Sequence, residues 1–138
     1  KKLFSERMVK RLLVVGMVLM ASVVLAQDMV KGPVITWEKL SHEFGDIVQG
    51  EKIEHTFKFT NTGTAALIIT NVEVTCGCTV PKGWPRDPIM PGSKGEITIA
   101  FNSSGKIGRQ NKVATVTSNS IGTTNQVMIV ANVLDKKL

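Results

Sequence analysis

Two cysteines and two histidines in 138 residues leave little from which to build a metal cluster or a thiol active site. No serine sits in a Gly-x-Ser-x-Gly elbow; Ser103-Ser104 lies in a plain polar stretch, so a serine hydrolase has no support. Glycine-rich phosphate loops are absent too, which removes the common nucleotide-binding designs. No segment keeps a 3.6-residue apolar period long enough for a helix in the folded domain. There is no internal repeat, no low-complexity tract, and no apolar run of the ~20 residues that a bilayer-spanning helix needs. These absences point away from an enzyme and toward a small β domain.

What the first 26 residues contain is an export signal. Lys10-Arg11 is basic, and Leu12 to Leu25 is almost wholly apolar, broken by Gly16 and Ser22. Val24-Leu25-Ala26 then places small residues at the −3 and −1 positions of a cleavage site before Gln27. An uncleaved anchor is the competing reading, but it calls for a longer apolar run. No cysteine follows that run to accept a lipid. Met8 is the expected start, with Lys1 to Arg7 as non-native residues ahead of it. Residues 1–26 carry +4 of the formal +6, so the mature chain has 12 basic against 10 acidic residues. Those charges are scattered rather than clustered, so nucleic acid is not an expected partner. An exported chain also meets an oxidising compartment, where Cys76 and Cys78 are able to pair.

From Gln27 onward, short segments rich in Val, Ile and Thr alternate with turn signals every ten residues or so, the pattern of an all-β sandwich. Residues 27–37 are a lead-in and first strand, 38–134 the domain and 135–138 a tail. The first strand runs from Val34 to Leu40, and a second, His42 to Val48, bends at Gly45. In the third, Ile53, His55, Phe57 and Phe59 fall on one face and Glu54, Thr56, Lys58 and Thr60 on the other, so one face is dry and one wet. Pro81 to Pro91 reads as an irregular loop, closing with Pro91-Gly92 in the residue order of a type II turn. Glu96 to Phe101, Lys112 to Thr117 and Gln126 to Val133 complete seven or eight strands. The last is apolar on both faces, as either a fully buried strand or an edge awaiting a partner strand would be.

The succession Phe44-Gly45-Asp46-Ile47, Phe57-x-Phe59-x-Asn61-Thr62-Gly63, Val74-Thr75-Cys76-Gly77-Cys78-Thr79, Trp84, Pro91-Gly92 and Phe101 resembles the bacterial family DUF1573. That family is similar to the immunoglobulin-like modules of the major sperm protein and hydin type. The resemblance covers roughly residues 38–134. It implies an immunoglobulin-like antiparallel β-sandwich in the periplasm, cell envelope or secreted fraction, and it brings no settled activity.

The candidate site is Cys76-Gly77-Cys78. In an extended strand both sulfurs face one side. Their Cα atoms then lie about 6.5–7 Å apart, at the upper edge of disulfide geometry, so a bond requires a kink at Gly77. Three readings stand open: packing residues, a Cu(I) site using both thiolates, or a thiol–disulfide exchange pair. Met90 is a further soft ligand in the adjoining loop. A redox enzyme ordinarily places Cys-x-x-Cys at a helix start, which this chain does not. Trp84 is either an anchor for a partner or a plug over the end of the sandwich. His55 reads as a core or rim histidine and His42 as a residue at a loop edge. The expectation is therefore a non-catalytic exported module, with no catalytic residues, that binds an envelope protein through a sheet edge or through the Cys76–Met90 end. Its rival is a Cu(I) or thiol-redox protein.

Overall fold

Alternation along the chain becomes eight strands in the computed structural model, which describes residues 31–122 and 125–137. The export signal expected over residues 1–26 lies outside them. The strands are β1 (Ile35–Trp37), β2 (Ser41–Val48), β3 (Lys52–Asn61), β4 (Ile69–Val74), β5 (Thr79–Gly83), β6 (Lys94–Asn102), β7 (Gly108–Ser118) and β8 (Gln126–Leu134). They form two four-stranded sheets, ordered β1-β3-β6-β5 and β2-β8-β7-β4. Phe57, Phe59, Ile97, Ile99 and Phe101 point inward from the first, and Val116, Val127, Ile129, Ala131 and Val133 from the second. Each of these buried side chains except Ala131 contributes about 1.5–3 kcal/mol of transfer free energy.

Every pairing but one is antiparallel. The exception is β2, which runs parallel to β8 from Ser41↔Met128 to Val48↔Leu134, with a register shift between Glu43 and Asp46. Gly45, at φ +73°, takes up that shift, which is the bend expected there.

The last strand, β8, is central and not an edge, with β2 on one side and β7 on the other. Its outward face is covered in part, with Val130 buried between half-buried Met128 and Asn132. Arg109 on β7 reaches Glu43 on β2 across β8 (3.2 Å), and Val130 beneath is only 5% exposed. Asn132 likewise donates from Nδ2 to Asp46 Oδ1 at 2.8 Å. Cover on both sides, partial on the outer one, is why both faces are apolar.

One local expectation is met in detail. Met90 to Ser93 forms a turn closed by Ser93 N donating to Met90 O (3.0 Å), with Pro91 presetting φ and Gly92 at φ +82°. Asn61, at the end of β3, is 0% exposed. Its Nδ2 donates to the Ala65 and Ile89 carbonyls (both 2.8 Å), and its Oδ1 accepts from Gly63 N (3.0 Å) and Val34 N (3.3 Å). Gly63 has to be glycine: a Cβ there would overlap the Gly32 carbonyl oxygen. The Asn61-Thr62-Gly63 motif is thus a hydrogen-bonding hub tying β1, β3 and the loop before β6 together.

One expectation is corrected. Pro81 does not open an irregular loop; it lies inside β5, opposite Ile99. The strand tolerates it because β5 is an edge, where a missing N–H is lost only to solvent.

Candidate functional site

The Cys76-Gly77-Cys78 stretch is not extended. β4 and β5 are the edge strands of different sheets on the same side of the sandwich, and these residues make the crossing between them. Thr79 N donates to Cys76 O at 3.1 Å, closing a tight turn. The turn shortens Cα–Cα to 5.3 Å and the two cysteines form a disulfide. The kink foreseen at Gly77 therefore exists, but it needs no glycine. Gly77 is not at positive φ, and a Cβ there would meet nothing within 4 Å. Both sulfurs are half-buried, within 3.7 Å (Cys76) and 3.9 Å (Cys78) of the buried Thr79 hydroxyl. Oxidised, the pair offers no thiolate to a metal.

Cys78 also packs against the smaller core cluster of Ile47, Phe101, Ala131 and Val133. Beside it runs a groove of about 380 Å³, lined by Ile53, Cys78, Val80, Ala100 and Phe101 with Lys52 and Lys82 at its rim. Cross-strand pairing aligns Glu54, Ala100 and Val80. The small Ala100 leaves the depression, and Lys82 bonds Glu54 across it at 3.0 Å. Val80 is 52% exposed, an apolar side chain on the wet face of an edge strand.

The two aromatic and sulfur candidates beyond the turn differ. Trp84 packs against the main core, with the Arg86 guanidinium over its ring at 3.9 Å and its Nε1 buried without a hydrogen-bond partner among the described residues. Met90 is exposed, next to the isolated Leu67↔Ile89 bridge that also carries the exposed Ile68. Ser103 is fully buried and structural: its hydroxyl donates to Glu51 O (2.7 Å) and accepts from Gly50 N (2.9 Å), fixing the β2–β3 turn.

The histidines meet, which nothing in their spacing announces. His42 is within β2, not at a loop edge, and its ring stacks on that of His55 from β3 at 3.9 Å and 8°. Phe44 and Phe57 stand edge-on to the two rings at 4.5 and 4.7 Å. Burial first, then His42 and Lys39, lower the pKa of His55. Parallel rings aim their nitrogen lone pairs side by side rather than at one point, a poor arrangement for chelation. No group of three or more His, Cys, Asp or Glu side chains able to hold a metal occurs among the described residues.

A family model described as a protein of unknown function, DUF1573, matches residues 35–133. No curated protein matches the chain. Among solved structures, a protein of unknown function from Porphyromonas gingivalis W83 aligns with TM-score 0.63 and 16% identity, over 78% of this chain and 50% of that one. The PapD-like domain 7 of human CEP192 aligns at TM-score 0.54 and 13% identity, over 80% of this chain and 93% of the domain. The secreted serine protease VesC from Vibrio cholerae aligns at 0.55 and 15%, over 74% of this chain and 23% of the protease. The chain thus spans half of the Porphyromonas gingivalis protein, and such identities speak for the β-sandwich fold alone. With the family model covering nearly all of the sandwich from β1 to β8, the chain belongs to the DUF1573 family.

Proposed function

We propose that the protein is an exported, non-catalytic module of the bacterial envelope that binds an exported partner protein through the Cys76–Met90 end. The observation that carries this reading is the groove beside Cys78, where Val80 stands half-exposed on an edge strand above an apolar floor. Its rim bears Lys52 and Lys82 against Glu54. The fitting occupant is an extended segment of the partner that seats an apolar side chain between Val80 and Ala100 and sets an acidic residue against Lys52.

The test is site-specific photo-crosslinking in cells, with the reactive residue at Val80 and, as control, at Thr117 on the other sheet. A defined adduct at Val80 alone, reproduced with the purified partner and abolished by Lys52→Glu, supports the reading. So does its persistence in a Cys76→Ser, Cys78→Ser variant. Equal labelling at both positions counts against it. Intact mass of the exported protein tests cleavage before Gln27 in the same preparation.

A second reading draws on the disulfide. The bond closes a three-residue loop across a turn that a backbone hydrogen bond already closes, so its entropic contribution is small. Its half-buried sulfurs suit thiol–disulfide exchange. An incoming protein thiolate forms a new bond to one Sγ, the Cys76–Cys78 bond breaks, and the other sulfur leaves as a thiolate near the Thr79 hydroxyl. The reduced pair would be the Cu(I) ligand set. Thiol trapping under denaturing conditions, before and after incubation with an exported dithiol protein, separates the readings: no exchange, and no copper adduct on the reduced form, removes this one.

A further inference from the structure

His42 and His55 come from opposite sheets, β2 and β3, and their stack is a side-chain contact made directly across the sandwich. It lies along the flank where β1 stops at Trp37 and leaves the first half of β3 paired on one side only, to β6. On that flank β2 is an edge strand, held to its own sheet by parallel pairing with β8 and interrupted by the Gly45 bulge. The seam between β2 and β3 therefore leans on the four-ring cluster of His42, Phe44, His55 and Phe57.

The surroundings do not welcome a proton. Neither imidazole makes a hydrogen bond to another described residue, so no carboxylate among the described residues steadies a cationic form through one. Glu38, Lys39 and Lys58 line the cavity of about 190 Å³ that opens on His55, two cations against one anion. The strands paired beside the rings offer Ile129 (β8, opposite His42) and Ile99 (β6, opposite His55), both buried and uncharged. Glu43, next to His42 on β2, is held by Arg109 on the outer face. One proton gives an imidazolium against a neutral ring; two give like charges 3.9 Å apart between the sheets.

We propose that the stacked His42–His55 pair is an acid-sensitive clasp between the sheets, which holds β2 against β3 when neutral and lets β2 lift when both rings are protonated. The sense follows from linkage. The His55 pKa in the folded protein lies below its unfolded value of 6.5, so the stabilisation is complete above that value and is lost as pH falls through the folded pKa. Where one proton separates the two states, the opening constant rises about tenfold per pH unit. With β2 released, the parallel-paired edge of β8 is uncovered, which makes this a proton-gated exposure of backbone.

The test is amide hydrogen exchange at pH 7.5 and 5.0, corrected for the intrinsic chemical rate, on the wild-type protein and the His42→Phe, His55→Phe double variant. The aromatic variant keeps the stack and removes the titration. In the wild type, protection over residues 41–48 is expected to fall at pH 5.0 relative to residues 69–74 of β4. The double variant is expected to show no such difference. A uniform fall over all strands, or the same fall in the variant, overturns the proposal. Should the variant fail to fold, NMR titration of the wild-type imidazoles decides. A His55 midpoint below 6.5 upholds the clasp, and one at or above 6.5 refutes it.

Discussion

Asn61→Ala should be among the most damaging single substitutions in the sandwich, although Asn61 touches no candidate site. The side chain is 0% exposed and makes four hydrogen bonds, two donated to carbonyls at 2.8 Å and two accepted from backbone amides at 3.0 and 3.3 Å. One of its partners keeps company without it: Ile89 O also accepts from Leu67 N at 2.8 Å. The bonds from Val34 N and Gly63 N and the bond to Ala65 O are simply lost. At about 1 kcal/mol net per bond, with more for any polar group left buried, the substitution costs roughly 3–5 kcal/mol. For a domain of this size that is a fall in Tm of roughly 15–25 °C, and a large share of the ~5–15 kcal/mol that holds a typical domain folded. Urea unfolding followed by the fluorescence of Trp37 and Trp84, both packed on the core, reads it directly. Asn71→Ala is the control, an exposed residue with one bond to Glu73, expected to change stability by less than about 0.5 kcal/mol. A cost below about 1 kcal/mol for Asn61→Ala, at an unchanged denaturant slope, would refute the account of the motif as a hub. Asn61→Asp keeps the shape but turns an oxygen toward two carbonyls. It should cost at least as much at pH 7 and recover in part on acidification, as the carboxyl takes up a proton.

The other expectations are quicker to state. The Cys76→Ser, Cys78→Ser variant should lose only about 1.5 kcal/mol, the figure for a three-residue loop, in the same urea assay; a loss above 3 would mean that the bond anchors more than its turn. Gly77→Ala should stay within about 0.5 kcal/mol and keep the disulfide by intact mass, because its φ is ordinary and its surroundings open. Gly63→Ala, by contrast, drives a methyl into the Gly32 carbonyl oxygen and should yield little soluble protein or a strongly lowered Tm. Lys52→Glu should leave Tm within a few degrees, since Lys52 is exposed, while abolishing partner crosslinking from position 80.

What could be read from the chain was whatever depends on neighbours in sequence. β3 declares itself because its inward residues meet a core and its outward ones meet water, a contrast that alternation records at every step. Pro91-Gly92 declares its turn because both residues restrict their own backbones. Pro81 misled because edge status belongs to a strand's neighbours and not to the proline. Cys76 and Cys78 were legible in part: their spacing announces that a bond needs a kink at Gly77, but the turn that supplies it exists because β4 and β5 belong to different sheets, and no local pattern encodes that crossing. His55 was placed on the inward face correctly, but its stack on His42 depends on how one sheet lies over the other, 13 residues and a sheet away. The Asn61 hub was visible only as a motif; its four partners come from three separate parts of the chain.

The parallel pairing of β2 with β8 bears on how the sandwich answers a mechanical load. Tension applied between the two ends of the domain pulls Ser41 and Leu134 in opposite directions along strands that run the same way. The bonds between β2 and β8 then lie across the force and must slide together rather than open one after another. β1, three residues long, would peel away first and leave that pair to carry the strain. A domain tethered at both ends would thus resist stretching through the strand pair beside the histidine stack, and acidity would set how much force it takes to part them.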